Sequence, residues 1–517
     1  MSARDPSQRT RGLGPAGVRR VAAAALMLLP AAVALINLAP SLPDGLVGSD
    51  TYPILLTSGY HSPGELLDVL RSRLMPDFFP VDFYRPVAGA VWGAGRALWG
   101  LAPRPWLLLL LLIHAVNVTL IARIGPLLLE ERGRAIGFLA ALLLALHPLT
   151  PETVPVVSRL PDLLGGTLVL LVLLLRGGEA RGAGRARAAG ALLLALLAYG
   201  TKEGTYFLPA LLFGFAMLRG RGPGRALRES IPYAAALLLF LALRRSVLGG
   251  IGGYGEEGAG TFHALSTAGA FLSALAAPFG PGETAAANGG ADFGLRAAFA
   301  LLLAILWTAT TGRRADEPVA GTRRRAILFL LLWIGLVVAV HLPVRRFSHR
   351  YAYLGLLPTC LLFAAIALGR VRSTAGRVLS ALFVVLLFWN GTFAPLFGGY
   401  REWKVGAREA GVFLDNAARA IEAEPGRTRF FFSGCPWKVS LLRARTPHIQ
   451  QAYILSSRSV RAWAALRFPE REMRIEVDRV RIEIEEVGGG AILHRKPVGP
   501  VRPDEAEENG DGRGGGS

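Results

Sequence analysis

The sequence has little charge and almost no cysteine. Only 18% of its 517 residues are charged and 52% are hydrophobic, whereas soluble domains carry about 25% charged residues. Apolar stretches of roughly 17–25 residues, the length that crosses bilayer hydrocarbon, recur along most of the chain. These features exclude a soluble multidomain enzyme and a disordered chain. With just two cysteines, Cys360 and Cys435, a disulfide scaffold is excluded as well.

Lysine is also scarce, so arginine carries the net charge of +20. Such a charge is compatible with nucleic-acid binding or with basic cytoplasmic loops in a membrane protein. We predict eleven membrane spans, beginning with an uncleaved anchor whose N-terminus lies in the cytoplasm. The predicted spans cover residues 20–38, 105–123, 134–149, 160–176, 188–202, 204–219, 230–248, 293–311, 325–342, 351–369 and 377–396.

The charge distribution supports this topology. The six predicted cytoplasmic segments contain 24 basic and 7 acidic residues, whereas the five outer loops contain 9 and 12. This is the bias expected of a multi-pass protein, and it leaves no reason to expect a nucleic-acid partner. The bilayer itself is the first predicted partner.

The expected fold class is an all-α polytopic membrane protein with a small C-terminal extracytoplasmic α/β domain. In that domain we expect an amphipathic helix over 405–423, a buried strand over 429–433, and a hairpin or one long bulged strand over 474–485. The predicted domains are a cytoplasmic tail at 1–19, a transmembrane domain at 20–399 with a first outer loop at 39–103, the α/β domain at 400–500, and a disordered tail at 501–517.

The first outer loop contains helix signals and a candidate catalytic acid. Ser62-Pro63-Gly64-Glu65 is a capping box that predicts an amphipathic helix at the membrane surface, and a second helix is expected after Pro86. Asp50 follows span 1 closely, where a carboxylate can accept a proton from an acceptor hydroxyl. A solvated loop residue or a helix cap is the alternative for Asp50. Asp77 and Asp82 are back-up acids.

Short motifs follow in order at the predicted outer face. They are Phe83-Tyr84-Arg85-Pro86, Leu112-Ile113-His114-Ala115-Val116-Asn117, His147-Pro148 with Glu152 and Ser158-Arg159-Leu160-Pro161-Asp162, Thr201-Lys202-Glu203-Gly204, and His349-Arg350-Tyr351-Ala352-Tyr353-Leu354. Together they resemble GT-C superfamily membrane glycosyltransferases, in particular bacterial relatives of the transmembrane O-mannosyltransferases that carry tetratricopeptide repeats. The resemblance covers about residues 20–400.

The resemblance implies transfer of a sugar from a polyprenyl-phosphate carrier to an acceptor at the outer membrane face. It assigns the catalytic carboxylate to Asp50. Relatives often have two adjacent acids there, whereas this chain has Ser49-Asp50, so the use of a divalent metal stays open and no other cofactor is expected. The repeat array is missing, so the acceptor stays open among protein, lipid and glycan.

Arginine suits the carrier phosphate because its fork donates two hydrogen bonds at once. Outer loops contain few basic residues, which makes those present informative. The predicted substrate-binding residues are Tyr84, Arg85, His114, Glu152, Arg159, Lys202, Glu203, Arg345, Arg346, His349, Arg350 and Tyr351.

Each of these residues also has a structural alternative. Lys202 and Glu203 are compatible with a local ion pair, and Glu152 and Arg159 with a pair that orders their loop. His114 is compatible with a hydrogen bond to a neighbouring helix. The tyrosines suit the membrane interface, and the arginines at 345–350 suit lipid headgroups.

Two other functions remain open. A transporter or flippase of a lipid-linked or anionic substrate needs inverted repeats and polar mid-membrane helices, and the sequence shows no internal symmetry. A non-catalytic membrane scaffold that binds a partner through the tail domain is compatible with the single acid at Asp50.

Overall fold

The computed structural model describes most of the chain. The described residues are 15–60, 62–76, 78, 83–129, 132–147, 149–178, 184–250, 267–269, 271–272, 274–275, 318–342, 349–368, 374, 378, 381–382, 401–441, 452–487 and 490–498. Some predictions lie outside these residues: span 293–311, most of span 377–396, Asp77, Asp82, Arg345, Arg346, and the tail 501–517.

Helices occupy every predicted span within the described residues. The helices are α1 Pro15–Leu38, α2 Thr51–Thr57, α3 Pro63–Arg71, α4 Pro86–Trp99, α5 Pro103–Leu128, α6 Gly133–Leu146, α7 Thr150–Thr153, α8 Leu160–Gly177, α9 Gly184–Tyr199, α10 Leu208–Leu218, α11 Pro223–Leu248, α12 Pro318–His341, α13 Tyr353–Ala367, α14 Arg401–Ala423 and α15 Ser457–Arg467.

Five of the described helices are long and apolar enough to cross a membrane. They cover Pro103–Leu128, Val157–Gly177, Pro223–Leu248, Thr322–His341 and Arg350–Ala367. Shorter apolar helices cover Met27–Leu38, Gly133–Leu146 and Glu203–Leu218. The total number of spans stays a prediction.

One predicted boundary, which the sequence places only to within a few residues, differs from the structure. The span expected to reach residue 202 ends at Tyr199, and α10 begins only at Leu208. At the end of α9, the hydroxyls of Thr201 and Thr205 donate hydrogen bonds to the carbonyls of Leu197 and Ala198 (2.7 and 2.9 Å). Lys202 and Glu203 therefore lie in a link between two helices rather than at a tight junction.

The first outer loop folds as its sequence signals predict. The Ser62 side chain accepts a hydrogen bond from the Glu65 backbone N–H at 3.2 Å and caps α3. The second predicted helix begins at Pro86, as expected. Helix α3 has no buried residue, which fits the predicted surface position.

Helices α5 and α6 pack through glycines. A Cβ added at Gly137 would lie 2.2 Å from the Ala122 carbonyl oxygen, and one at Gly125 would lie 2.4 Å from that of Gly133. Small residues let helix backbones approach this closely in membranes. The close pair fixes α5, which carries His114 and Asn117 into the core.

The C-terminal part contains a four-stranded sheet of order β2-β1-β3-β4. Its strands are β1 Arg429–Leu441, β2 Ala452–Tyr453, β3 Arg474–Val487 and β4 Gly490–Pro497. Strands β1 and β3 are parallel, whereas the other two pairs are antiparallel. In the chain, helix α14 precedes β1, and helix α15 lies between β2 and β3.

Two strand predictions need correction. Arg474–Val487 is one continuous strand, so the alternative of a hairpin within 474–485 is wrong; the hairpin forms with β4 instead. The strand expected over 429–433 continues to Leu441 and is not wholly buried, since Phe431 is 66% exposed. The irregularity lies in β1, where Gly434 takes a positive φ of 82° that suits glycine alone.

Candidate functional site

Asp50 lies at the start of α2, immediately after the loop that follows α1. Its backbone carbonyl accepts from the Ile54 N–H at 3.0 Å, and its side chain makes no capping hydrogen bond. The carboxylate is half-buried and accepts a hydrogen bond from the Ser49 hydroxyl at 3.1 Å. Asp50 is thus a helix-cap residue by position, with a carboxylate that is not used for capping.

Arg159 links the candidate acid to the candidate phosphate ligand. The side chain is buried and donates to Glu152 at 3.2 Å, so the predicted pair forms. Electrostatic interactions also connect its guanidinium to Asp50, Asp162 and Arg350. The charges of Asp50 and Arg350, which are 300 positions apart in the sequence, therefore both act on one arginine.

Lys202 pairs with Asp162 rather than with Glu203. Its ammonium group donates to the Asp162 carboxylate in the first turn of α8, and both side chains are buried. Burial lowers the pKa of Lys202, while the Asp162 charge acts in the opposite direction. The ammonium nitrogen also lies 5.0 Å from the centroid of the Tyr351 ring. The structural alternative of a local Lys202–Glu203 ion pair is therefore not what the structure shows, because each residue pairs with another partner.

Glu203 holds two arginines, Arg85 immediately before α4 and Arg244 within α11. Its carboxylate accepts from Arg85 at 2.8 and 3.0 Å and from Arg244 at 2.8 Å. Burial alone would raise the pKa of Glu203, but these two guanidinium groups lower it to about 2. Arg244 also donates to the Tyr84 carbonyl at 3.3 Å. The three charges thus tie the first outer loop to α11.

Arg350 and Tyr351 lie in the turn that precedes α13. The Arg350 guanidinium lies 5.2 Å from the centroid of the Tyr351 ring and within 3.5 Å of its hydroxyl. The Tyr351 ring also stacks on His341 at 5.6 Å. The position of His349 is described but its side chain is not, so its predicted role stays a prediction.

His114 lies within a buried hydrogen-bond network. Its Nδ1 is 2.8 Å from the Tyr353 hydroxyl, which also accepts from the Asn117 amide at 3.1 Å. Thr167 donates to Asn117 at 2.7 Å. The network confirms that His114 hydrogen-bonds a neighbouring helix, one of the two predicted alternatives. These hydrogen bonds join α5, α8 and α13.

The C-terminal part binds directly to the loop that carries Asp50. The Ser49 carbonyl accepts from the hydroxyl of Ser459 at 2.6 Å and lies 3.5 Å from that of Ser456. The Gly48 N–H donates to the Ile454 carbonyl at 3.1 Å. We call Ser456, Ser459 and Ile454 the serine clamp. It fixes the backbone on the N-terminal side of Asp50.

A second contact brings the C-terminal part to Arg159. The Arg159 guanidinium lies 5.2 Å from the centroid of the fully buried Trp403 ring, in the first turn of α14. A cation over an aromatic face is stabilised when desolvated. Asp50 and Arg159 are therefore both held by residues far along the chain.

Two residues of this site were not selected from the sequence as site residues. Asp162 pairs with Lys202, and Arg244 pairs with Glu203. Both lie within predicted spans, at their outer ends. An ionisable residue inside a membrane span is by itself a functional signal, and that rule would have found both.

The described site combines five cations with four carboxylates: Arg85, Arg159, Lys202, Arg244, Arg350, Asp50, Glu152, Asp162 and Glu203. Such a site can hold a phosphate and leave one carboxylate for proton transfer. Within the described residues, no group of three or more His, Cys, Asp or Glu residues could hold a metal ion.

No protein-family model and no curated protein matches the chain. The solved structures that are similar to it include the following two. One is the crystal structure of apo ArnT from Cupriavidus metallidurans, with 14% identity, a TM-score of 0.46, and coverage of 89% of this chain and 93% of that one. The other is the Archaeoglobus fulgidus oligosaccharyltransferase with Zn and sulfate, with 9% identity, a TM-score of 0.41, and coverage of 79% and 60%. At these TM-scores the likeness carries no weight for fold or activity.

Proposed function

We propose that this chain is a GT-C-type glycosyltransferase of a bacterial inner membrane, related to the transmembrane O-mannosyltransferases. It moves a sugar from a polyprenyl-phosphate carrier to an acceptor hydroxyl at the outer face. The observation that carries the proposal is that the charges of Asp50 and Arg350 both act on the buried Arg159. An acid beside guanidinium groups is the minimum that this reaction requires.

The reaction uses the two kinds of group in one step. The acceptor oxygen attacks the anomeric carbon, and a new C–O bond forms as the bond from that carbon to the phosphate oxygen breaks. Asp50 accepts the acceptor's proton, and the bonding electrons leave with the polyprenyl phosphate. Arg350, with Arg345 and Arg346, stabilises the charge that grows on the departing phosphate.

The buried ion pairs set the shape of the pocket. Arg85 pairs with Glu203, Lys202 pairs with Asp162 of α8, and Glu152 orders the turn that carries Arg159. Charges that are already paired need no rearrangement when the phosphate leaves, which is the condition for preorganised stabilisation. The apolar carrier tail lies between the spans.

The direct test replaces Asp50 by Asn. Membranes containing the Asp50→Asn variant are supplied with radiolabelled polyprenyl-phosphate sugar, and label in the acceptor fraction is measured. We expect transfer to fall by about 100-fold or more, the lower range of general-base contributions. Asp44→Asn is the matched control, since it makes the same charge change at an exposed position of the same loop.

Unchanged transfer by Asp50→Asn, at normal protein level, would remove Asp50 from the mechanism. The transporter alternative has its own signature. Movement of the lipid-linked sugar across proteoliposomes without transfer to any acceptor would replace the glycosyltransferase proposal by a flippase.

A further inference from the structure

A second charged group lies at the far end of α8. Arg159 and Arg176 are at opposite ends of this helix, and a rise of about 1.5 Å per residue separates them by roughly 25 Å, close to the thickness of bilayer hydrocarbon. Around Arg176 lie residues of the α10–α11 link and of α11. We define the arginine pocket as Arg176, Arg219, Arg221, Arg225 and Glu229.

A single carboxylate holds three arginines of the arginine pocket. Glu229 accepts from Arg176 at 2.9 Å and from Arg225 at 3.1 Å, and it pairs with Arg221 as well. The side chains of Arg176 and Glu229 are about one-fifth exposed, so the group is partly shielded from water. The five residues together carry a net charge of +3.

The cations in the arginine pocket repel one another. Burial lowers the pKa of Arg221, and the charges of Arg176, Arg225 and Arg219 lower it further. Arg325 of α12 approaches the same place, since a Cβ added at Gly220 would lie 3.7 Å from its guanidinium. Arg176, Arg221 and Arg225 share the single carboxylate of Glu229, which leaves these four residues with an excess of positive charge, so an anion bound here would be attracted.

The arginine pocket also has an apolar wall. Leu212, Phe215 and Ala216 of α10 line it beside Arg176, Arg219, Arg221 and Glu229. A free anion needs only the cations, whereas a lipid headgroup also needs an apolar surface for its glycerol and first methylenes. Charge bias predicts this end of the bundle to be cytoplasmic.

We propose that the arginine pocket binds the phosphate of an anionic phospholipid of the inner leaflet. The guanidinium groups of Arg176 and Arg221 hold the phosphate oxygens, and the α10 wall contacts the glycerol and acyl carbons. Basic pockets between membrane helices on the cytoplasmic side recognise such headgroups. The site is independent of the proposed transferase site, which lies at the other end of α8.

The test measures lipid retention by the full chain. The protein is purified in neutral detergent, incubated with phosphatidylglycerol or phosphatidylcholine, and analysed by native mass spectrometry. We expect the wild type to retain phosphatidylglycerol preferentially. Arg176→Gln/Arg221→Gln should weaken this binding by roughly 30-fold, since each arginine near an anionic headgroup contributes about fivefold.

Arg134→Gln is the matched single-charge control, and it is compared with Arg176→Gln and Arg221→Gln individually. Arg134 is exposed and lies at the same predicted face but outside the arginine pocket. Equal losses of phosphatidylglycerol by Arg134→Gln and by either pocket variant would overturn the proposal. Inorganic phosphate is titrated separately, and saturable phosphate binding with no preference between the two lipids would assign the site to a free anion instead.

Glu229→Gln separates a ligand site from a purely structural ion network. The substitution removes the internal anion, so the arginines repel more strongly and the protein should unfold at a lower temperature in phosphatidylcholine. If the arginine pocket is a lipid site, phosphatidylglycerol supplies the missing negative charge and restores most of the lost unfolding temperature. Equal destabilisation in both lipids would show that the pocket is structural and would overturn the proposal.

Discussion

Single charged residues in this protein form ion pairs with residues that lie far away in the sequence. Glu203 follows Lys202 directly, yet Lys202 binds Asp162, 40 positions away, and Glu203 binds Arg85, 118 positions away. A charged group buried near a membrane is stable only when its partners satisfy it. The strength of each pair therefore depends on both residues, and removing one leaves a buried charge.

The Glu203 pairs predict a pH-dependent stability. Because the pKa of Glu203 is lowered to about 2, its ionised form stabilises the fold at pH values above its ordinary pKa. This contribution should disappear as the pH falls from about 4.5 towards 2. Thermal unfolding in detergent, measured at several pH values for the wild type and Glu203→Gln, checks it.

At neutral pH, Glu203→Gln should be less stable than the wild type by about 2–3 kcal/mol, somewhat less than the cost of breaking a fully buried pair. The difference should shrink as the pH is lowered. Glu65→Gln is the control, because Glu65 lies on the exposed helix α3. A difference that stays constant from pH 7 to pH 3 would contradict the prediction.

Among the elements, helix α15 is notable because residues at its start bind a distant loop of the chain. Ser456 caps α15 and forms a capping box with Ser459, while the Ser459 hydroxyl also donates to the Ser49 carbonyl. One helix start thus orders the backbone next to Asp50. If Asp50 is the proton acceptor, the serine clamp positions it, and small displacements of such a group are costly in rate.

Ser459→Ala tests this positioning role. Loss of one hydrogen bond, about 1 kcal/mol, should lower kcat by roughly fivefold with little change in the donor KM. Ser459→Thr keeps the hydroxyl and should restore most of the activity. Transfer kinetics and thermal unfolding are measured together.

Ser457→Ala is the control for the clamp, because Ser457 is the adjacent serine on the same helix. A purely structural role would lower the unfolding temperature of Ser459→Ala without changing kcat per folded molecule. That outcome would remove the serine clamp from the mechanism.

At the scale of the whole molecule, the C-terminal part is joined to the membrane helices at the candidate site. Its residues contact Ser49, Gly48 and Arg159, all of which lie at the predicted outer end of the bundle. The arginine pocket lies at the other end. The molecule therefore has two charged ends separated by apolar helices. One end is predicted to face the outside and the other the cytoplasm.

Cysteine labelling tests this orientation. Asp478→Cys and Arg134→Cys place thiols at exposed positions of β3 and of α6. In intact spheroplasts, a membrane-impermeant maleimide should label position 478 and should reach position 134 only after permeabilisation. The native Cys360 and Cys435 are buried and give a low background. The reverse labelling pattern would invert the topology and remove the proposed outer-face reaction.

Local sequence rules predicted the local structure. The apolar runs located α1, α5 and α8, the Ser62 capping box located α3, and Pro86 marked the start of α4. These signals act within one helix and need no information from the rest of the chain. The exact end of α9, at Tyr199, was not predicted.

By itself, the sequence determined that this is a multi-pass helical protein with acid and arginine at one predicted face. Only the tertiary structure decided the partners: Asp162 for Lys202, Arg244 for Glu203, and Ser459 for the Ser49 carbonyl, 410 positions apart. The physical reason is range. Helix formation depends on interactions across three or four residues, whereas an ion pair depends on which helices pack together, and uniform apolar surfaces do not encode that choice locally.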